Sequence, residues 1–184
     1  MIQELFFVFW YFLPAGVANM TPIFVAKLPI LRKWSYPLDC YKTYRGKRIL
    51  GDHKTVRGMI SGLIAGIVIA WLQRYFYTHM PMIQTLIPRN YASIDPVILG
   101  ILAGLGALTG DAIKSFFKRR RGIPSGESWF PFDQLDYVIG GTLFMALYFP
   151  LTVIAYILLY FMWFLMHPLS TWIGYELKLK KSPL

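Results

Sequence analysis

The chain has 184 residues, of which 56% are hydrophobic, 17% aromatic and 15% charged, and its formal net charge is +10. A soluble domain usually carries about 45–50% apolar and about 25% charged residues, so the balance shifts toward a membrane protein, with Trp and Tyr suited to interfacial belts. The single cysteine, Cys40, excludes an internal disulfide and a cysteine-rich metal site.

The first apolar run, about residues 2–22, is long enough to cross a bilayer, which takes about 20 mostly apolar residues. Glu4 is its one charge, and Pro14 is expected to kink it. It has no basic leader and no small-residue cleavage pattern, so it reads as a retained helix rather than a signal peptide. A polar loop of about residues 27–56 follows. Further spans are expected over about 57–77 and 96–117, the latter opened by Asp95 as N-cap and Pro96 at the first helical position. A second polar loop covers about 118–132. The last apolar region is too long for one ordinary span, and Pro150 divides it into helices of about 133–149 and 151–167. One long kinked helix is the alternative, leaving four spans and a basic tail on the opposite side.

Basic residues favour the first arrangement. Residues 27–57 hold nine Lys or Arg, 111–136 hold five and the tail after His167 holds three, while only Arg74 and Arg89 lie elsewhere. Five spans put all three clusters on the cytoplasmic side, as the positive-inside rule asks, with the N-terminus outside and the C-terminus cytoplasmic. The expected fold is an all-α polytopic membrane protein with five transmembrane helices, one domain over residues 1–184, in the cell membrane. Gly58, Gly62 and Gly66, and Gly100, Gly104 and Ala107, mark faces where helices approach closely. The basic residues border spans and match no recognition module, so nucleic acid is not an expected partner.

The third span carries the first chemistry. Asp111, Ser115, Lys118 and Arg119 fall at i, i+4, i+7 and i+8 and share one helical face. Asp111 sits where the apolar run ends, and a carboxylate near membrane depth is by default a functional candidate. Asp133 and Asp136, at i and i+3, open the next helix and aim the same way. Three carboxylates beside Lys and Arg suit Mg²⁺ with a phosphorylated ligand: oxygen ligands take the hard cation, and basic side chains neutralise the remaining phosphate charge. Arg120 and Arg121 read most simply as topology signals. Lys118 and Arg119 admit that reading too, and Asp133 admits a helix-cap role.

The first polar loop is unusually long. Its Gly51, Lys54 and Thr55 form a turn ahead of a helix N-terminus, a place that can hold phosphate. It is not a Walker site, because Lys does not directly follow the second Gly and no strand precedes. Asp39 and Asp52 are candidates for contact with ribose, base or metal, and equally for turn formation. Asn19 and Thr21 end the first span, and Pro22 is expected to break the helix. His53, His79 and His167 lack metal-ligand spacing, and no nucleophilic triad is apparent.

Together these pieces resemble the CDP-archaeol synthase family, archaeal CTP-dependent cytidylyltransferases of ether-lipid biosynthesis. The similarity runs in order through Asn19-Met20-Thr21-Pro22, Pro37-Leu38-Asp39, Arg48 to Gly58, Gly110-Asp111 to Lys118-Arg119, Pro124-Ser125-Gly126 and Asp133-x-x-Asp136, and the tail from His167-Pro168-Leu169 to Lys180-Lys181-Ser182-Pro183 is also similar. The stretch from Ser115 to Asp136 also resembles the phosphatidate cytidylyltransferase signature, without its longer His/Gly-rich segment. The resemblance implies that CTP and 2,3-bis-O-(geranylgeranyl)-sn-glycerol 1-phosphate, an isoprenoid glycerol phosphate lipid, give CDP-archaeol and pyrophosphate with Mg²⁺ at the cytoplasmic surface. Asp111, Lys118, Arg119, Asp133 and Asp136 would then be catalytic, the three aspartates holding the metal. Asn19, Thr21, Asp39, Gly51, Lys54, Thr55 and Ser115 would bind the nucleotide.

Two other classes fit less of the pattern. The longer Asp-Gly…Ala-Arg…Gly…Asp…Asp pattern of CDP-alcohol phosphotransferases is absent. An ion transporter should place charges near the midplane and often shows internal repeats, whereas here charges cluster at one surface.

Overall fold

The computed structural model describes residues 1–87 and 89–176, within which the chain is mostly helical. Helix α1 runs Ile2–Val25 and the short α2 Pro29–Arg32. A loop carries a small antiparallel hairpin, β1 Thr43–Tyr44 and β2 Lys47–Arg48, with Thr43 opposite Arg48. Helix α3 spans Val56–His79 and α4 Pro81–Leu86. Helix α5 spans Pro96–Arg120, α6 Phe132–Ala146 and α7 Val153–Glu176.

Local chemistry sets several boundaries. The Thr55 hydroxyl oxygen accepts from the Gly58 amide at 3.1 Å and caps α3. Asp95 accepts from the Val97 and Ile98 amides at 2.8 and 3.1 Å and caps α5 ahead of Pro96. The chain leaves the helix between α6 and α7 across Leu147–Thr152, the segment that contains Pro150. Helix α7 then continues through Pro168, beyond the expected boundary near 167. The basic residues of the tail beyond 176 lie outside the described residues.

Among the described residues, α1, α3 and α5 are long and apolar enough to cross a membrane. The apolar part of α7, Val153–Met166, is shorter, and α6 has 15 residues. Large apolar side chains such as Ile64, Trp71, Ile157 and Phe161 face outward, as lipid-facing surface requires.

Helix α5 lies between α3 and α6 and also touches α1. Glycines let the backbones meet on both sides. A Cβ on Gly66 would stand 2.8 Å from the Gly100 carbonyl oxygen, and one on Gly106 would stand 2.5 Å from that of Gly140. Without a hydrophobic force between helices in lipid, this close packing supplies the attraction. Phe12, Tyr137 and Trp163 join α1, α6 and α7, with the Phe12 and Trp163 rings 5.1 Å apart edge to face.

Helix α1 runs through both Pro14 and Pro22, so the break expected at Pro22 does not occur and the helix ends at Val25. Proline has no N–H, so at Pro14 the Trp10 carbonyl four residues back loses its helical partner. In lipid that group must be satisfied by another donor. The buried Gln73 amide on α3 donates to it, and the Gln73 carbonyl oxygen accepts from the Tyr91 hydroxyl at 3.0 Å. Replacing Gln73 with Leu is expected to lower stability by about 1–2 kcal/mol, read as a lower Tm in detergent. Adding Pro14→Ala should return most of that loss by restoring the helical donor. Equal losses with and without Pro14 would contradict this account.

Candidate active site

The site forms where α5 emerges from the apolar region. At about 1.5 Å per residue, Asp111 lies about 22 Å along the helix from Pro96, near the edge of a hydrocarbon layer about 30 Å thick. Lys118 to Arg120 lie a further two turns out. Next to Asp111, Gly110 admits the α6 backbone: a Cβ there would stand 2.2 Å from the Asp136 carbonyl oxygen. That contact brings the aspartates of α6 alongside α5.

Asp111, Asp133 and Asp136 converge on one ammonium group, that of Lys114. Its Nζ is 2.5 Å from Asp133 Oδ1, 2.8 Å from Asp136 Oδ2 and 3.2 Å from Asp111 Oδ1. Lys54, arriving from the first loop, pairs with the other Asp111 oxygen. Lys118 donates to the Glu127 carbonyl and lies 3.3 Å from both Asp133 oxygens. The Trp129 amide donates to Asp133 Oδ2 at 2.5 Å, so Asp133 also orders the turn that opens α6.

Other candidates are engaged in the scaffold. The Ser115 hydroxyl donates to the Asp111 carbonyl at 2.9 Å and the Thr21 hydroxyl to the Val17 carbonyl at 2.7 Å. Arg119 donates to the Pro124 carbonyl at 2.9 Å, while its Nε is buried without a hydrogen bond. Asn19, half-buried, sits on the end of α1 that packs against the start of α3, where Gly58 faces Pro22. Among the described residues, no hydrogen bond or ion pair joins Asn19 or Thr21 to the carboxylate cluster.

The long loop is a closed unit. Its ends pair through Leu38 N–H to the Lys54 carbonyl at 2.8 Å and Val56 N–H to the Tyr36 carbonyl at 2.9 Å. Inside it the Asp39 carboxylate, fully shielded from solvent, accepts from the Tyr41, Leu50 and Gly51 amides at 3.0–3.2 Å and from Arg48 at 2.6 and 3.2 Å. Burial alone would raise the Asp39 pKa, but the Arg48 guanidinium and the two amides of Leu50 and Gly51 outweigh it and hold the carboxyl at about 2. Asp39 therefore supports the loop from within, and the exposed Asp52 pairs with Arg48 at 2.7 Å.

Two residues that join these parts are not read in that role from the sequence. One is Lys114, whose signal was its position three residues after Asp111 on the same helix. The other is Arg120, which donates to the carbonyls of Tyr44, Lys47 and Arg48 and so docks the hairpin onto the end of α5. Gly51, at φ +95°, faces Arg119, with a built Cβ 3.5 Å from Nη1. Both loops thus close on the same helix end.

Among the described residues, no three His, Cys, Asp or Glu side chains are gathered as a ready-made metal cage. The donor chemistry nonetheless fits a hard divalent cation, because the three convergent side chains present carboxylate oxygens. The Asp136 side chain is only 4% exposed, and its Oδ2 makes no hydrogen bond; its one cationic neighbour is the Lys114 ammonium at 2.8 Å. A buried carboxylate oxygen held by an ion-pair contact alone has coordination capacity that a divalent cation can use.

A family model described as "CarS-like: CDP-archaeol synthase" matches residues 1–184. The chain belongs to the CDP-archaeol synthase family. CDP-archaeol synthases of Methanospirillum hungatei and Methanosarcina acetivorans are each 40% identical to it, over 80% of this chain and 89% of theirs. That of Thermococcus kodakarensis is 36% identical over 78% of this chain and 75% of its own. A solved structure described as "Structural insight into an intramembrane enzyme for archaeal membrane lipids biosynthesis" superposes with a TM-score of 0.67 at 30% identity, covering 88% of this chain and 90% of the other. The chain is accordingly an enzyme, a nucleotidyltransferase of lipid biosynthesis, and a multi-pass membrane protein.

The Gly110 contact carries a direct consequence. Gly110→Ala should push α6 outward and separate Asp133 and Asp136 from Lys114 and Asp111, lowering turnover about a hundredfold, as ångström-scale misplacement does, while the protein still inserts. Turnover assayed on the monodisperse variant checks this; a wild-type rate would contradict the placement.

Proposed function

We propose that this enzyme transfers the cytidylyl group of CTP to 2,3-bis-O-(geranylgeranyl)-sn-glycerol 1-phosphate, forming CDP-archaeol and pyrophosphate with Mg²⁺. The observation that carries the reading is the meeting of Asp111, Asp133 and Asp136 with Lys54, Lys114 and Lys118 at the end of a membrane helix. Such a set can hold a metal–triphosphate and a lipid phosphate at one depth. The curated relatives carry the name of this activity.

The reaction needs no protein nucleophile. An oxygen of the lipid phosphate attacks the CTP α-phosphorus, the bond from that phosphorus to the bridging oxygen breaks, and pyrophosphate leaves with the electron pair. Catalysis then rests on alignment and charge neutralisation. Asp111, Asp133 and Asp136 would hold Mg²⁺, which when bound supplies Lewis-acid polarisation of phosphoryl oxygens. Lys118 and Arg119 neutralise phosphate oxygens from α5, and Lys54 does so from the loop. Asn19, Thr21, Gly51, Thr55 and Ser115 line or support the nucleotide pocket.

A hollow of about 380 Å³, lined by Leu38, Leu50, Met59, Ala112, Ile113 and Phe116 among others, lies beside Asp111 on α5. Its apolar wall suits the first part of a lipid chain. In the bilayer, α1, α3, α5, α6 and α7 would be the five spans, with the N-terminus outside and both loops cytoplasmic, an orientation supported by the basic residues of the loops.

Purified protein given labelled CTP, the lipid phosphate and Mg²⁺ should yield CDP-lipid and pyrophosphate in equal amounts. Asp111→Asn should abolish product while leaving the protein folded, and Lys118→Ala should raise the apparent KM for CTP about tenfold. Absence of CDP-lipid with the wild type would refute the assignment. Product from Asp111→Asn at the normal rate would refute the metal-holding role.

A further inference from the structure

Lys114 stands in the one position that all three aspartates face. Its Nζ contacts Asp133 Oδ1, Asp136 Oδ2 and Asp111 Oδ1 at 2.5–3.2 Å, and its side chain is 13% exposed. Those are the oxygens a bound divalent cation would need. The seat and the ammonium group therefore exclude each other: cation ligands lie at about 2.0–2.1 Å for Mg²⁺, which leaves no room for Nζ among them. The local charge is consistent with this. Lys54 pairs with Asp111, Lys114 with Asp136 and Lys118 with Asp133, so three ammonium groups offset three carboxylates and the cluster is neutral without a ligand. Three carboxylates at the edge of an apolar layer would otherwise be strongly unfavourable.

We infer that Lys114 is the resident counter-ion of the metal seat, displaced when a divalent cation binds and then free to pair with a phosphate oxygen of the nucleotide. This rests on the metal-holding reading above. The exchange is one of positions, with no bond made or broken. It has two results. Divalent cation alone binds weakly, because it must eject an ammonium group that has no new partner. Cation and triphosphate bind cooperatively, because the triphosphate gives Lys114, and Lys54 beside it, an anion to move to. Binding free energies couple reciprocally, so each ligand should raise the affinity of the other by the same factor. Lys114 is therefore a positioning residue whose effect is visible in binding and stability before any turnover.

The test uses Mn²⁺ as probe on the full chain in nanodiscs, with free Mn²⁺ followed by electron paramagnetic resonance. In the wild type, Mn²⁺ alone should bind weakly and CTP should strengthen it. Lys114→Met should bind Mn²⁺ alone about tenfold or more tightly, the smallest gain expected from removing a unit charge at contact distance. Its melting temperature without metal should fall and should rise on adding Mn²⁺ by more than that of the wild type. Lys114→Arg, which keeps the charge, should restore the metal-free stability. On the wild type itself, acylation of Lys114 followed by mass spectrometry should increase when Mn²⁺ alone is saturating. Unchanged Mn²⁺ affinity in Lys114→Met, or unchanged Lys114 acylation while Mn²⁺ binds, overturns the inference and leaves the metal reading intact. No Mn²⁺ binding to the wild type, with or without CTP, or binding that survives Asp136→Asn undiminished, overturns the metal reading itself.

Discussion

Ion pairing between α5 and α6 governs this structure, because carboxylates at the edge of a bilayer must be matched by cations. Three aspartates and three lysines meet within a few ångströms there. The pairing depends in turn on Gly110, which allows the α6 backbone to come close enough for Asp136 to reach Lys114. Backbone approach and charge compensation are thus one constraint. The glycine steps between α3 and α5 extend it by letting α5 pack closely against its other neighbour.

The loops complete the site from outside the helices. Asp39 organises the first loop internally, and Arg120 fastens its hairpin to the end of α5. Lys54 then reaches Asp111 from a short connection to the Thr55 cap. A nucleotide bound beside Asp111 would meet lysines supplied by both loop and helix. That arrangement suits phosphoryl-group chemistry, in which positioning and charge neutralisation supply most of the catalysis.

Much of this was legible in the sequence where the signal is local. Asp95-Pro96 announced the start of α5, Pro150 the break after α6, and the Asp111, Asp133 and Asp136 triplet a place where charged side chains meet. What was not legible depends on partners distant in the chain. Arg120 reads as one of four consecutive basic residues until its acceptor carbonyls, more than 70 residues earlier, are in view. Gln73 reads as an odd polar residue until Pro14 is seen to have orphaned the Trp10 carbonyl. Asp39 offered two readings, and only the fold shows its oxygens taken up by Arg48 and backbone amides. Lys114 was in plain view beside Asp111, yet spacing alone does not say that a cation sits among three anions. The length of α7 was also unreadable, since Pro168 removes one donor without ending the helix.

The most direct test of the account is the position of a bound cation. Crystals grown with Mn²⁺ and a non-hydrolysable CTP analogue should give an anomalous peak bounded by the carboxylates of Asp111, Asp133 and Asp136, with the triphosphate against Lys54 and Lys118 and the Lys114 ammonium withdrawn from the seat. A peak elsewhere, with Lys114 still bridging the three aspartates, would contradict it.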